Sequence, residues 1–218
     1  MRVSWAITVH NEGESLNNLL EQLVTFIEDT ETDDEIIILD DFSDDYDTIS
    51  ILESYSEEYS FIKVSQRALE RDFGAQKTYL NSLCTGDYIF QIDADERLAV
   101  ELLYNLHSIL EANPTIDLYY IPRINTVEGL TEEHIKTWGW YVNKDGWIMF
   151  PDYQSRLYRN SPEIIWVGKV HERIDGIETF TYLPPEEKFC ILHYKEIHRQ
   201  EQQNKFYSSI IQETMNEQ

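Results

Sequence analysis

Residues 85–96 read Thr85-Gly86-Asp87-Tyr88-Ile89-Phe90-Gln91-Ile92-Asp93-Ala94-Asp95-Glu96. A turn signal leads into a short apolar run, and the run stops at carboxylates. It is too short for a helix and rich in aromatic and β-branched residues, so it reads as a buried strand. In extended backbone, residues two apart face the same side, and Asp93 and Asp95 therefore present both carboxylates to one point. Such a pair repels itself unless one member is protonated or a cation lies between them. All-oxygen ligands favour magnesium, manganese or calcium over zinc. The competing reading is an acidic turn that ends the strand and caps the next helix.

Upstream, strand-like and helix-like segments alternate. Val3 to Val9 is an apolar run closed by His10-Asn11-Glu12-Gly13. Leu16, Leu19, Leu20, Leu23 and Ile27 then recur at helical spacing. Ile36 to Leu39 is a second strand, stopped by Asp40-Asp41-Phe42-Ser43-Asp44-Asp45, and a helix follows to about Tyr59. Phe61 to Val64 predicts a third strand, and the segment from about Phe73 to Cys84 predicts a helix with Ala75, Tyr79, Leu80 and Leu83 inward. Downstream of the acidic pair come a helix over Leu98 to Leu110, halted at Asn113-Pro114, and a strand over Leu118 to Ile121. This alternation implies right-handed crossovers and a mostly parallel, buried sheet.

Ligands in such sheets bind beyond the carboxyl ends of the strands. Three polar clusters, His10-Asn11-Glu12, Asp40-Asp41 and Asp93-Ala94-Asp95, therefore converge on one edge. A carboxylate at Asp40 or Asp41 suits a base N–H or a ribose hydroxyl, and equally suits N-capping of the following helix. Glu12 invites the same ribose reading, whereas Asn11 also fits a turn-shaping role. Gly74 permits close approach of backbone to ligand, and Arg71 or Lys77 offers charge to a phosphate.

The second half differs. Residues 125–170 hold Trp138, Trp140, Tyr141, Trp147, Phe150, Tyr153, Tyr158 and Trp166 among turn signals, which predicts irregular structure and short antiparallel strands covering the site. Residues from about 195 to 216 suggest a terminal helix. The expected organisation is one domain over residues 1–195, with a nucleotide-binding half at 1–100 and an acceptor-side half at 101–195, followed by a helical extension at 196–218.

The 218 residues carry 41 acidic and 17 basic side chains, a net charge of −24, with 42% hydrophobic and 13% aromatic residues. That field repels nucleic-acid backbones and anionic membranes. A phosphate-bearing ligand then needs a local positive feature, either a bound cation or a few placed Lys and Arg. Cys84 and Cys190 match no metal spacing and are too few for a disulfide framework. No stretch resembles a signal peptide or a membrane span, so the expectation is a soluble, cytoplasmic protein in a reducing compartment.

ITVHNEGESL, IIILDDFSDD and FGAQKTYLNSLCTGDYIFQIDADE together resemble glycosyltransferase family 2, of the GT-A fold, and VHERI and ILHY resemble later motifs of one bacterial and phage-type branch. The resemblance spans roughly residues 3–195. It implies a three-layer α/β sandwich in which Glu12 and Asp41 contact a nucleoside, while Asp93 and Asp95 bind a divalent cation, manganese or magnesium, and a diphosphate. Lys77 stands where many relatives carry Arg, keeping the charge but losing the bidentate fork. Phe42 stands where the family more often has Gly. The implied reaction moves a sugar from a nucleotide-diphosphate donor, UDP-linked by preference, to an acceptor hydroxyl with inversion. Glu172 is the candidate general base with Asp152 in reserve, because such a transfer needs a carboxylate to take the acceptor's proton. His193 is placed to complete the metal shell or touch the diphosphate, Arg156 to clamp phosphate or sugar, and Trp138 with its neighbours to carry a sugar face.

Two rival enzyme classes fail. An aspartate-nucleophile phosphatase ends its first strand with the acidic motif and has Thr or Val two residues on, where Arg97 stands here. A dinucleotide dehydrogenase needs G-x-G-x-x-G after the first strand, where only Gly13 occurs. The remaining alternative is a binding module of the same fold that has lost turnover.

Overall fold

The computed structural model describes residues 1–216; positions 217 and 218 of the expected terminal helix lie outside the described residues. β1 (Val3–Val9), β2 (Glu35–Asp40), β3 (Ile62–Gln66) and β4 (Tyr88–Asp93) form the parallel half of the sheet in the order β3-β2-β1-β4. β1 pairs with both β2 and β4, so that Val9 lies opposite Asp40 and Thr8 opposite Asp93. The polar strand ends therefore sit side by side on one edge.

α1 (Gly13–Thr30) follows β1, α2 (Tyr46–Glu58) follows β2, and α3 (Phe73–Leu83) follows β3. Side chains alternate along β1. Trp5, Ile7 and Val9 join the α1 stripe Leu16, Leu19, Leu20 and Leu23 and the face of α4 (Val100–Ala112) in one core. Ala6 faces the other way, with Ile37, Leu39 and Leu80 of α3. Helices on both faces make three layers around the sheet.

α3 differs from expectation in its inward face. Gly74, Gln76, Lys77 and Leu80 are buried, while Tyr79 is exposed and carries the Arg67 guanidinium over its ring. Gln76 turns inward to Arg67 and Lys77 to Glu172, beside the apolar contact that Leu80 makes with Ala6, Ile37 and Leu39.

The antiparallel half is more regular than the aromatic-rich sequence suggests. β6 (Leu118–Glu128) and β7 (Ile148–Arg159) are long partners, and β7 joins the parallel half through β4. The strand expected at residues 118–121 thus continues to Glu128. β11 (Ile191–Glu196) runs parallel to β6, and β5 (Glu96–Leu98) pairs antiparallel with β11 at the end of the sheet. β8 (Ile165–Val167) and β9 (Arg173–Asp175) form a small ribbon, β10 (Phe180–Tyr182) lies beside β6, α5 (Glu132–Trp138) follows β6, and α6 (Ile197–Asn216) closes the chain. Among the described residues no helix is long and apolar enough to cross a membrane.

A buried carboxylate ties the strand starts together. Glu35 accepts hydrogen bonds from the Thr85 amide (2.6 Å), the Thr85 hydroxyl (2.8 Å) and the Ser4 hydroxyl (2.8 Å), and pairs with Arg2 and Lys63. Burial alone would raise its pKa, but the Thr85 and Ser4 hydrogen bonds hold it at about 2, below the usual 4.5. A depressed carboxyl contributes stability above its unfolded pKa and loses it as pH falls through the folded value. Acid unfolding curves should therefore steepen between pH 4.5 and about 2. Glu35→Gln should flatten that window and cost about 1.5–3 kcal/mol at neutral pH. An unchanged acid profile in urea titrations of the variant would refute this.

Candidate active site

The strand ends open into a cavity of about 650 Å³, closed on the far side by β6, β7, residues 166–172 and α6. Of the residues expected at the site, His10, Glu12, Asp41, Lys77, Asp93, Ala94, Asp95, Asp152, Arg156, Glu172 and His193 line it. Asn11, Asp40, Arg71, Gly74 and Trp138 do not.

The reasons are local. Asn11, at φ 55°, accepts the amides of Asp44 and Asp45 through Oδ1 and donates to Asp44, so it shapes the turn. Asp40 is buried and accepts from the Ser43 amide and hydroxyl and from Gln66, which uses both oxygens inside the fold. This network holds Phe42 at φ 49°, a conformation that favours glycine. Arg71 turns to Ser209 and the Phe206 ring on α6. Trp138 stacks on His134 and abuts Trp140, facing a separate cleft between α5 and α6. Trp140, not Trp138, reaches the main cavity.

Gly74 serves protein packing rather than a ligand. A Cβ there would stand 2.6 Å from the Gly168 carbonyl. The first amides of α3 dock residues 168–169: Phe73 N–H donates to Lys169 O (3.0 Å) and Gly74 N–H to Gly168 O (3.1 Å). Thr78 also exchanges two hydrogen bonds with the Trp166 backbone. This docking brings Glu172 to Lys77, whose Nζ lies 2.5 Å from Oε1 and 4.6 Å from the Trp166 ring centre. The second oxygen of Glu172 has no hydrogen bond among the described residues.

Beneath the cavity runs a buried ladder of alternating charge. Arg156 donates to Asp93 through both terminal nitrogens and to Glu96 Oε1 (3.0 Å). Arg123 donates to the same Glu96 oxygen (2.8 Å) and to Asp152 (2.7 and 3.0 Å). Burial would raise the Asp93 carboxyl, yet the Arg156 and Lys77 charges hold it far below the carboxylate range. Asp152 is likewise held down against burial by Arg123, Asn125 and Gln154. With its oxygens taken by Arg123, Asn125 and Gln154, Asp152 is poorly suited to the base role.

Asp95 and His193 are tested as metal ligands by their hydrogen bonds. Asn125 Nδ2 donates to Asp152, so its oxygen faces His193 Nδ1 (2.8 Å) and that ring nitrogen carries a proton. Nε2 is thereby aimed at Asp95 Oδ2, 3.4 Å away. A backing hydrogen bond that presents the other ring nitrogen beside a carboxylate is how metal-binding histidines are oriented. Asp95 and His193 would each offer one ligand to a divalent cation, although Lys195 and Arg199 also lie 3.7 and 3.6 Å from the same Asp95 oxygen. Asp93 offers none, because Arg156 occupies both its oxygens; among the described residues no group of three or more His, Cys, Asp or Glu is gathered as a metal cage. Burial would raise Asp95, but contact with His193 and the Lys195 charge bring it to about 2.

Charge is the feature sequence reasoning underrated. Lys77, Arg123, Arg156, Lys195 and Arg199, five of the chain's 17 basic residues, line the cavity beside six carboxylates. A site in a strongly acidic chain is therefore close to electroneutral. Glu96, Arg123, Asn125, Lys195 and Arg199 were not singled out from sequence. Glu96 alone carried a signal, sitting directly after the acidic pair.

Helices on both faces of the sheet, an acidic parallel edge and an antiparallel lid define the GT-A class of α/β proteins. Residues 4–175 match the sequence profile of Glycosyl transferase family 2, and the chain belongs to that family. The fold is similar to that of S. aureus TarS, at 16% identity over 90% of this chain and 37% of TarS, with a TM-score of 0.61. The 1–349 portion of TarS in complex with UDP-GlcNAc gives 16% identity over 90% and 58%, TM-score 0.61; its complex with UDP gives 15% over 90% and 61%, TM-score 0.57. The chain thus spans between 37% and 61% of these structures' length.

Proposed function

We propose that this chain transfers a sugar from a nucleoside-diphosphate donor to an acceptor hydroxyl, with inversion at the anomeric carbon. The carrying observation is one cavity lined both by Glu12, Asp41, Asp93 and Asp95, from three parallel strand ends, and by Glu172 from the second half of the chain. Glu12 and Asp41 would hold the nucleoside. UDP is the nucleotide to test first, since TarS of the same fold was solved with UDP-GlcNAc. Glu172 takes the acceptor's proton through its open oxygen as the acceptor oxygen bonds the anomeric carbon. The bond from that carbon to the diphosphate breaks, and the nucleoside diphosphate leaves with the electron pair. Arg156, fixed between Asp93 and Glu96, and Lys77 stand by to face developing negative charge. Manganese or magnesium, held by Asp95 and His193, would supply further charge to the leaving diphosphate.

Asp95→Ala should lower manganese-stimulated release of UDP from a UDP-sugar by about 10²–10³-fold. It should also abolish the manganese-dependent rise in melting temperature. Release that ignores manganese, or a variant as active as the parent, contradicts the metal assignment.

A further inference from the structure

His193, Lys195 and Arg199 lie beyond residues 4–175, the span that matches the family profile, yet all three reach the cavity. Lys195 is fixed: its side chain is 7% exposed, Nζ donates to Gln203 (2.7 Å), and Asp95 lies 3.7 Å away. Arg199 is differently placed. It projects from the first turns of α6 with its side chain 38% exposed, and one terminal nitrogen contacts both oxygens of Glu12. The same nitrogen lies 3.6 Å from Asp95 Oδ2. Its guanidinium therefore sits between the carboxylate assigned to the nucleoside and the carboxylate assigned to the diphosphate end.

We propose that Arg199 is an exchangeable phosphate ligand, resting on Glu12 and Asp95 in the free chain and passing to the donor's diphosphate as the ribose takes Glu12. This inference rests on the nucleoside-diphosphate reading above. A guanidinium stays charged at all working pH values and matches phosphate oxygens as well as carboxylate oxygens. The exchange replaces one charge-assisted pair by another, while Glu12 gains ribose hydroxyls. A long side chain that is partly exposed makes the move without unfolding α6. Gln200, Gln203 and Tyr207 on the same helix also line the cavity, so α6 forms part of its wall.

The test is calorimetric titration of the full chain with UDP and with uridine, in manganese and in EDTA, alongside the same titrations of Arg199→Met and Arg199→Lys. GDP, ADP, CDP and TDP are run on the parent so that the tightest nucleotide and its nucleoside replace UDP and uridine if required. Arg199→Met should weaken the diphosphate about tenfold or more, in both metal conditions, and leave the nucleoside unchanged or tighter. Arg199→Lys, which keeps charge without the fork, should fall between. Equal weakening of diphosphate and nucleoside, no change in either, or tightening of both overturns the exchange. A parent chain that binds none of the nucleoside diphosphates instead overturns the donor reading itself, and the exchange with it.

Discussion

Glu172→Gln lowers sugar transfer by about 10²–10⁴-fold while donor affinity stays close to that of the parent, if the open oxygen of Glu172 accepts the acceptor's proton. The substitution is nearly isosteric, and an amide oxygen can still accept from Lys77. What it removes is basicity. Lys77 keeps its place over the Trp166 ring and its attraction to Asp93, so the donor side of the cavity should persist. Steady-state rates with saturating donor, paired with UDP titrations, separate the two effects. Unchanged turnover would remove Glu172 from the mechanism. Donor binding without turnover in the parent would favour the binding-module alternative.

The second large effect concerns stability. Glu96→Gln should destabilise the chain by about 1.5–3 kcal/mol, because a neutral amide replaces the carboxylate that accepts from two largely buried guanidiniums. The Glu96 side chain is fully buried, and the side chains of Arg156 and Arg123 are 5% and 17% exposed, so water cannot replace the lost charge. Asp93 would retain Arg156 and Asp152 would retain Arg123, but the link between the two pairs would be cut. Guanidinium unfolding at neutral pH measures the loss. A change below about 1 kcal/mol, the range of an exposed ion pair, would show that the ladder is not coupled through Glu96.

Both expectations concern residues whose surroundings the sequence conveyed unequally. Glu172 was reachable through its motif, and the structure places it on the cavity wall. Asp40 and Asp41 looked interchangeable as neighbours at a strand end. The pleat separates them: Asp40 turns into the turn network with Ser43 and Gln66, while Asp41 lines the cavity and accepts the Leu69 amide. Gly74 was read as a close approach of backbone to ligand, and what approaches it is the Gly168 carbonyl.

From the sequence alone came the parallel half, its buried strands and the acidic edge at Asp41, Asp93 and Asp95. These are local matters: a short apolar run, the carboxylates that stop it and a stripe of period 3.6 all lie within one window. Only the tertiary structure decided which charges meet. Arg123 and Arg156 reach Glu96 from 27 and 60 residues away, and Arg199 meets Glu12 across 187. Such pairings depend on where β6, β7 and α6 return to the sheet edge, and no spacing in the chain encodes that return. The long-range path of the second half, not the acidic motif by itself, made a near-neutral cavity within a chain of net charge −24.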